Sequence, residues 1–191
     1  MKTQAIPALK FLIIMTILTG IVYPLLMTGI AQVLYPSRSN GSIIFRNGKA
    51  IGSELIGQKT DSTIYFWSRP SSIGYNPVPS GASNLGPISD TLKKQVSTRR
   101  EIFAKMNSVN DPLSVPKEML FASGSGLDPH ISPEAALMQV DRVSAARHFT
   151  SEQKMKLLDI VKKMKEPLQL HLLGEERVNV FLLNIELDKI Q

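Results

Sequence analysis

From Phe11 to Tyr35 the chain runs for 25 residues without one charged side chain. Wound as an α-helix, that stretch is about 37 Å long against a bilayer hydrocarbon core of about 30 Å, so it crosses a membrane with length left for tilt. A cleaved signal peptide is the alternative, since Lys2 and Lys10 make a basic leader and Gly29-Ile30-Ala31 a small-x-small cleavage site. The apolar stretch is about twice as long as a signal-peptide core, which favours an uncleaved anchor. Tyr35, Pro36, Ser37 and Arg38 supply an interfacial stop. The expected organisation is a ten-residue arm (1–10), a transmembrane helix (11–35) and a domain (36–191). Charge does not orient it, because Lys2 and Lys10 flank one end while Arg38, Arg46 and Lys49 flank the other.

Within the helix Thr16, Gly20, Pro24, Thr28 and Gln32 recur at every fourth position. Small and polar residues at that spacing let a second helix approach closely and offer hydrogen bonds across the contact. Four residues exceed one turn by about 40°, so the stripe wraps around the helix. Thr and Gly are also common in membrane helices generally, but the repeat favours a helix that packs against partners.

The remaining 156 residues carry 20 Lys and Arg against all 16 acidic residues, a net of +4. That is enough chain to bury a core of its own and too apolar for intrinsic disorder. The cluster Lys162, Lys163 and Lys165 suits a helix C-terminus, and with no basic stripe no nucleic-acid partner is expected. The chain has no cysteine, which excludes disulfides, thiolate metal sites and a cysteine nucleophile. Asn47-Gly48 between apolar runs predicts a hairpin. Residues 64–67 read as a short aromatic strand. Residues 69–89, rich in Pro and Gly, read as a long loop, either functional or an Ω-loop packed on its own side chains.

Three helices are expected next. Residues 90–107 place Leu92, Val96, Arg99 or Arg100, and Phe103 along one face. Ser132 caps a second helix, with Pro133 at its first position, which carries Leu137, Val140 and Val143. Thr150 and Gln153 form a capping box before Met155, Leu158, Val161 and Met164. Residues 177–187 are apolar on both faces at their start and read as a central strand. The fold class is a mixed α/β (α+β-like) domain with a small sheet, preceded by one N-terminal transmembrane helix.

The segment Ser123, Gly124, Ser125, Gly126, Asp128 and His130 holds serine, aspartate and histidine ahead of a helix start. As a hydrolase site it is poor: Ser125 lacks glycine two residues to either side, and triad members converge from separate parts of a fold. As an anion site it is better, because glycines before a helix expose backbone N–H groups. The plain structural alternative is a turn at Asp128-Pro129 followed by the Ser132 cap. Asp128 and His130 alone do not make a metal site, and His148 and His171 have no ligand company. Gly48-Lys49 fails as a phosphate loop because Ala50 follows. No catalytic residue and no metal are expected.

Several motifs occur together in order: Tyr23-Pro24-Leu25-Leu26, the run from Gly52 to Gln58, Tyr65-Phe66-Trp67-Ser68-Arg69-Pro70-Ser71, Tyr75-Asn76-Pro77, the run from Ser80 to Pro87, the Ser123–Pro133 segment, and Val178-Asn179-Val180 with Leu183-Asn184. The chain resembles the C subunit family of the Kdp potassium-transporting ATPase over nearly its whole length. Ala82 stands where the family pattern has a second glycine, which bears on local turn geometry only. The resemblance implies a non-catalytic subunit of a high-affinity, ATP-driven potassium uptake complex. Its partners would be a channel-like potassium-translocating subunit, a P-type ATPase subunit, a very small fourth subunit and the lipid bilayer. It implies a single-pass inner-membrane protein with a cytoplasmic N-terminus and an extracytoplasmic domain. It also implies a catalytic chaperone that raises the ATP affinity of the ATPase subunit. ATP and K+ are used by the complex, with no cofactor expected on this chain itself. Tyr65, Phe66, Trp67 and Arg69 are the candidate partner interface, because Trp, Tyr and Arg concentrate binding energy, although alternate strand residues face inward. The other reading is a membrane-tethered extracytoplasmic enzyme or anion-binding module using Ser125, Asp128 and His130.

Overall fold

The computed structural model describes residues 2–170 and 172–190; His171 and the Lys2 side chain, both considered above, lie outside the described parts. Helix α1 (Lys2–Ile17), a π turn (Leu18–Val22) and helix α2 (Tyr23–Leu34) follow one another without a break. Within them Gln4–Leu34 is long and apolar enough to cross a membrane, with a mean hydropathy of 2.2. Apart from the half-exposed Ala31, its residues stand exposed. Helix therefore begins well before the charge-free run, and the expected arm forms its first turns.

The π turn has a local cause. Pro24 offers no N–H to the Gly20 carbonyl, and its ring crowds that oxygen. Widening the preceding turn relieves the clash. The wide turn also takes up part of the four-residue overshoot, so Thr16, Gly20 and Pro24 fall closer to one line than on a uniform helix. Helix α3 (Pro36–Ser39) follows Tyr35, whose φ of −138° breaks the helix. Strands β1 (Ile43–Arg46) and β2 (Lys49–Ser53) then pair antiparallel. Their turn is at Asn47 and Gly48, with φ of 52° and 74°, as the expected hairpin needs.

The chain divides into two compact units, one ending at Ser53 and one starting at Glu54. The second unit contains α4 (Asp90–Met106), β3 (His130–Ile131), α5 (Pro133–Ala146), α6 (Ser151–Lys163), β4 (Val178–Asn179) and α7 (Val180–Leu187). The caps form where the sequence places them. Ser132 Oγ accepts from Ala135 N at 3.1 Å, and Thr150 and Gln153 complete their reciprocal box. Strands β3 and β4 are two residues each and pair antiparallel, His130 opposite Asn179 and Ile131 opposite Val178. The core joins Phe66, Phe103, Leu120, Val140, Val143, Leu157, Leu183 and Leu187. Among the apolar residues these helices carry, Leu137 and Met155 are exposed.

Two expected strands are corrected. Residues 177–187 are strand only at Val178–Asn179; Asn179 Oδ1 then accepts from Leu182 N at 3.1 Å and caps α7. The buried residues Val180, Leu183, Asn184 and Leu187 stand at helical spacing, a period that the unbroken apolar stretch Val180 to Leu183 conceals. Residues 64–67 form no strand at all.

Candidate functional site

An irregular segment still has to satisfy its backbone when buried. Around Phe66 and Trp67 two side-chain amides do this. Asn184 Oδ1 accepts from Phe66 N at 2.8 Å, and its Nδ2 donates to Phe66 O at 3.0 Å. Gln139 Oε1 accepts from Trp67 N at 2.7 Å, and its Nε2 donates to Trp67 O at 3.3 Å. Each amide reads the backbone as a neighbouring strand would. Phe66 is fully buried and Tyr65 and Trp67 half-buried, so of the aromatic candidates only the last two reach the surface.

Arg142 of α5 and Arg147, which ends that helix as its C-cap, complete this layer. Arg142 donates to Asn107 Oδ1 (2.9 Å), Thr63 O (2.5 Å), Tyr65 O (3.0 Å) and Gln139 Oε1 (2.7 Å), with its guanidinium 4.2 Å from the Trp67 ring centroid. Burial pulls it down to about 10, so it stays charged at neutral pH. Arg147 lies 4.8 Å from the Tyr65 ring and binds Asp188 at 2.8 Å. Gln139, Arg142, Arg147 and Asn184 were absent from the sequence-derived candidates. Their signal is a polar residue on the inward face of an apolar helix, at 139 and 142 beside Val140 and Val143.

The Ser123–His130 segment is clasped on two sides. Gly126 has φ of 70°, and a Cβ there would stand 2.6 Å from Ile73 Cγ1 and 2.9 Å from Gly81 O. At Gly57, whose N–H donates to Leu127 O at 2.7 Å, a Cβ would meet Asp128 O at 2.8 Å. Backbone N–H groups offered to an anion are largely used within the chain: Ser123 N donates to Pro70 O, Leu127 N to Ser125 Oγ, and Ser132 N to Glu118 Oε1. The loop of residues 69–89 is likewise stapled on itself, with Ser71 Oγ accepting from Ile73 and Tyr75 and the Tyr75 hydroxyl donating to Arg69 O.

Charge alternates along one wall of a hollow of about 320 Å3. Arg69 Nη1 binds Asp128 Oδ2 at 2.8 Å, Asp128 Oδ1 lies 3.2 Å from His130 Nδ1, and His130 Nε2 lies 3.9 Å from Glu166 Oε1. Glu166 in turn pairs with Arg177 at 2.8 Å. The His–Asp half of a triad is therefore present, but among the described residues no hydrogen bond joins Ser125 to His130. Burial pushes the Asp128 carboxyl up, yet the hydrogen bonds from His130 and the Arg69 guanidinium outweigh it and hold the group down at about 2. A depressed carboxyl stabilises the fold above its ordinary value, near about pH 4, and loses that contribution as pH falls towards about 2. The stability gap between the parent and Asp128→Asn should accordingly be constant near neutrality and close between those two pH values. Acid titration followed by Trp67 fluorescence checks this; a gap unchanged through the window contradicts it.

In the first unit Thr16, Gly20, Pro24, Thr28 and Gln32 all stand exposed, and Thr28 Oγ1 spends its proton on Pro24 O at 2.7 Å.

Comparison with known proteins adds a family. The profile described as KdpC, K+-transporting ATPase c chain, matches residues 5–189. The chain is 46% identical over 188 residues to the potassium-transporting ATPase KdpC subunit of Geotalea uraniireducens, covering 96% of each chain. It is 44% identical over 193 residues to that of Dechloromonas aromatica, covering 100% of this chain and 99% of the relative. To that of Leptospira interrogans it is 44% identical over 181 residues, covering 95% and 91%.

Proposed function

We propose that this chain, which belongs to the KdpC family of K+-transporting ATPase c chains, is an accessory subunit that assembles and stabilises a potassium-transporting ATPase without performing chemistry itself. The observation that carries this is the extent of the match: residues 5–189 take in the membrane helix and the domain after it as one unit of descent. The partners are a channel-like potassium-translocating subunit, a P-type ATPase subunit and a small fourth subunit. The exposed stripe from Thr16 to Gln32 supplies the face that meets a partner helix. The half-buried Tyr65 and Trp67, with Arg69, supply contact in the second unit. With its N-terminus in the cytoplasm and its domain outside, the chain raises ATP affinity in the ATPase subunit through conformational coupling, since ATP is on the other side of the membrane.

A pull-down through a C-terminal tag, in mild detergent from cells grown at limiting potassium, tests the assembly. A multi-span channel-like protein and a P-type ATPase are expected in the eluate. Recovery of this chain alone, where other membrane complexes survive, would overturn the proposal and return attention to Ser125, Asp128 and His130. Orientation is tested separately, because the chain has no cysteine of its own. Met155→Cys, at a position 70% exposed, should react with a membrane-impermeant maleimide applied to spheroplasts, and Gln4→Cys only after lysis. The opposite pattern reverses the topology.

A further inference from the structure

The second unit holds a cleft of about 490 Å3 whose walls include Trp67, Pro70, Tyr75, Phe103 and Met119. That volume is within the range of small-molecule sites, which are mostly apolar with a few polar groups. Three charged residues line it, and two of them cancel: Lys59 and Asp61 pair at 2.9 Å on the exposed rim. The third, Arg99, donates to the Leu120 carbonyl at 2.8 Å, and no carboxylate pairs with it among the described residues. A half-buried cation facing aromatic walls without an anion is an uncompensated charge.

We propose that this cleft binds a small organic carboxylate with an aryl body, its carboxylate on the Arg99 guanidinium and its ring against Trp67, Tyr75 and Phe103. One guanidinium matches one carboxylate through paired N–H···O bonds, whereas a phosphate dianion would bring more charge than the cleft neutralises. Burial lowers the Arg99 pKa, with no acid beside it to offset the shift. Burial, and then Asp61, push the Tyr75 phenol up to about 12, so it lines the wall as a neutral ring, its hydroxyl spent on the Arg69 carbonyl.

The chain has a single tryptophan, Trp67, and it lines the cleft, so occupancy has a direct optical readout. The full chain in micelles is titrated with 3-phenylpropanoate and with its uncharged counterpart 3-phenylpropanol. A saturable change in Trp67 emission is expected, with the carboxylate binding at least about tenfold more tightly than the alcohol. Arg99→Gln, which keeps an N–H for Leu120, should erase that preference and leave the alcohol unchanged. Ile102→Glu should erase it too, by placing a carboxylate one turn from Arg99 at a residue 50% exposed, with Arg99 itself intact. Equal affinity of acid and alcohol, no saturable change, or a preference that survives either substitution would overturn the proposal.

Discussion

Arg142→Leu should cost the second unit about 3 kcal/mol of unfolding free energy, because it strips hydrogen bonds from one buried and two part-buried acceptors and leaves them in place. Thr63 O, Tyr65 O and Asn107 Oδ1 each lose the donor that now reaches them, while Gln139 Oε1 keeps Trp67 N. Leucine fills much of the volume, and the cost of desolvating a cation disappears, so the loss is smaller than three full orphan penalties. Among the described residues no carboxylate pairs with Arg142, so neutralising an ion pair cannot explain the result. Arg142→Lys should recover less than half of the loss. An ammonium on a flexible stem cannot hold acceptors spread along one plane and also lie flat on Trp67. Urea unfolding of the full chain in micelles, followed through Trp67 fluorescence, measures both variants. A loss below about 1 kcal/mol for the leucine would mean that water or a shifted backbone takes over these acceptors.

That arginine also shows where sequence reading stops. The long apolar N-terminal helix, the Asn47-Gly48 hairpin and the Ser132 and Thr150 caps were legible because each rests on a local rule: length without charge, positive φ, or a side chain beside its own helix start. Residues 64–67 have strand composition, and their backbone is indeed paired, but by Asn184 and Gln139 from distant helices rather than by a strand. Residues 177–187 failed for a related reason. The unbroken apolar stretch Val180 to Leu183 hides its period, and only knowing that Leu182 and Ile185 are less buried than Leu183 and Asn184 reveals the helix. In the candidate site, Asp128 and His130 were visible as residue types. Their partners Arg69 and Glu166, and Arg177 that pairs with Glu166, come from separate parts of the chain, and no local pattern predicts such convergence.

Asn184→Leu should cost about 2–4 kcal/mol, and the loss should be concentrated on one residue's backbone. The substitution is close to isosteric, so no cavity opens; what goes is the pair of bonds to Phe66 N and Phe66 O. Both groups lie in the core against a fully buried ring, where water cannot replace the amide without displacing Phe66. Hydrogen exchange should show Phe66 N–H losing its protection while Trp67 N–H, held by Gln139 Oε1, keeps more of its own. Gln139→Leu should do the reverse. The two amides clamp adjacent residues of one segment, so losses should not add: once one clamp is gone the segment is partly released, and removing the second costs less by at least about 0.5 kcal/mol. Strict additivity in that double-mutant cycle would mean two independent anchors, and Phe66 and Trp67 would then be set in place separately rather than as one extended piece.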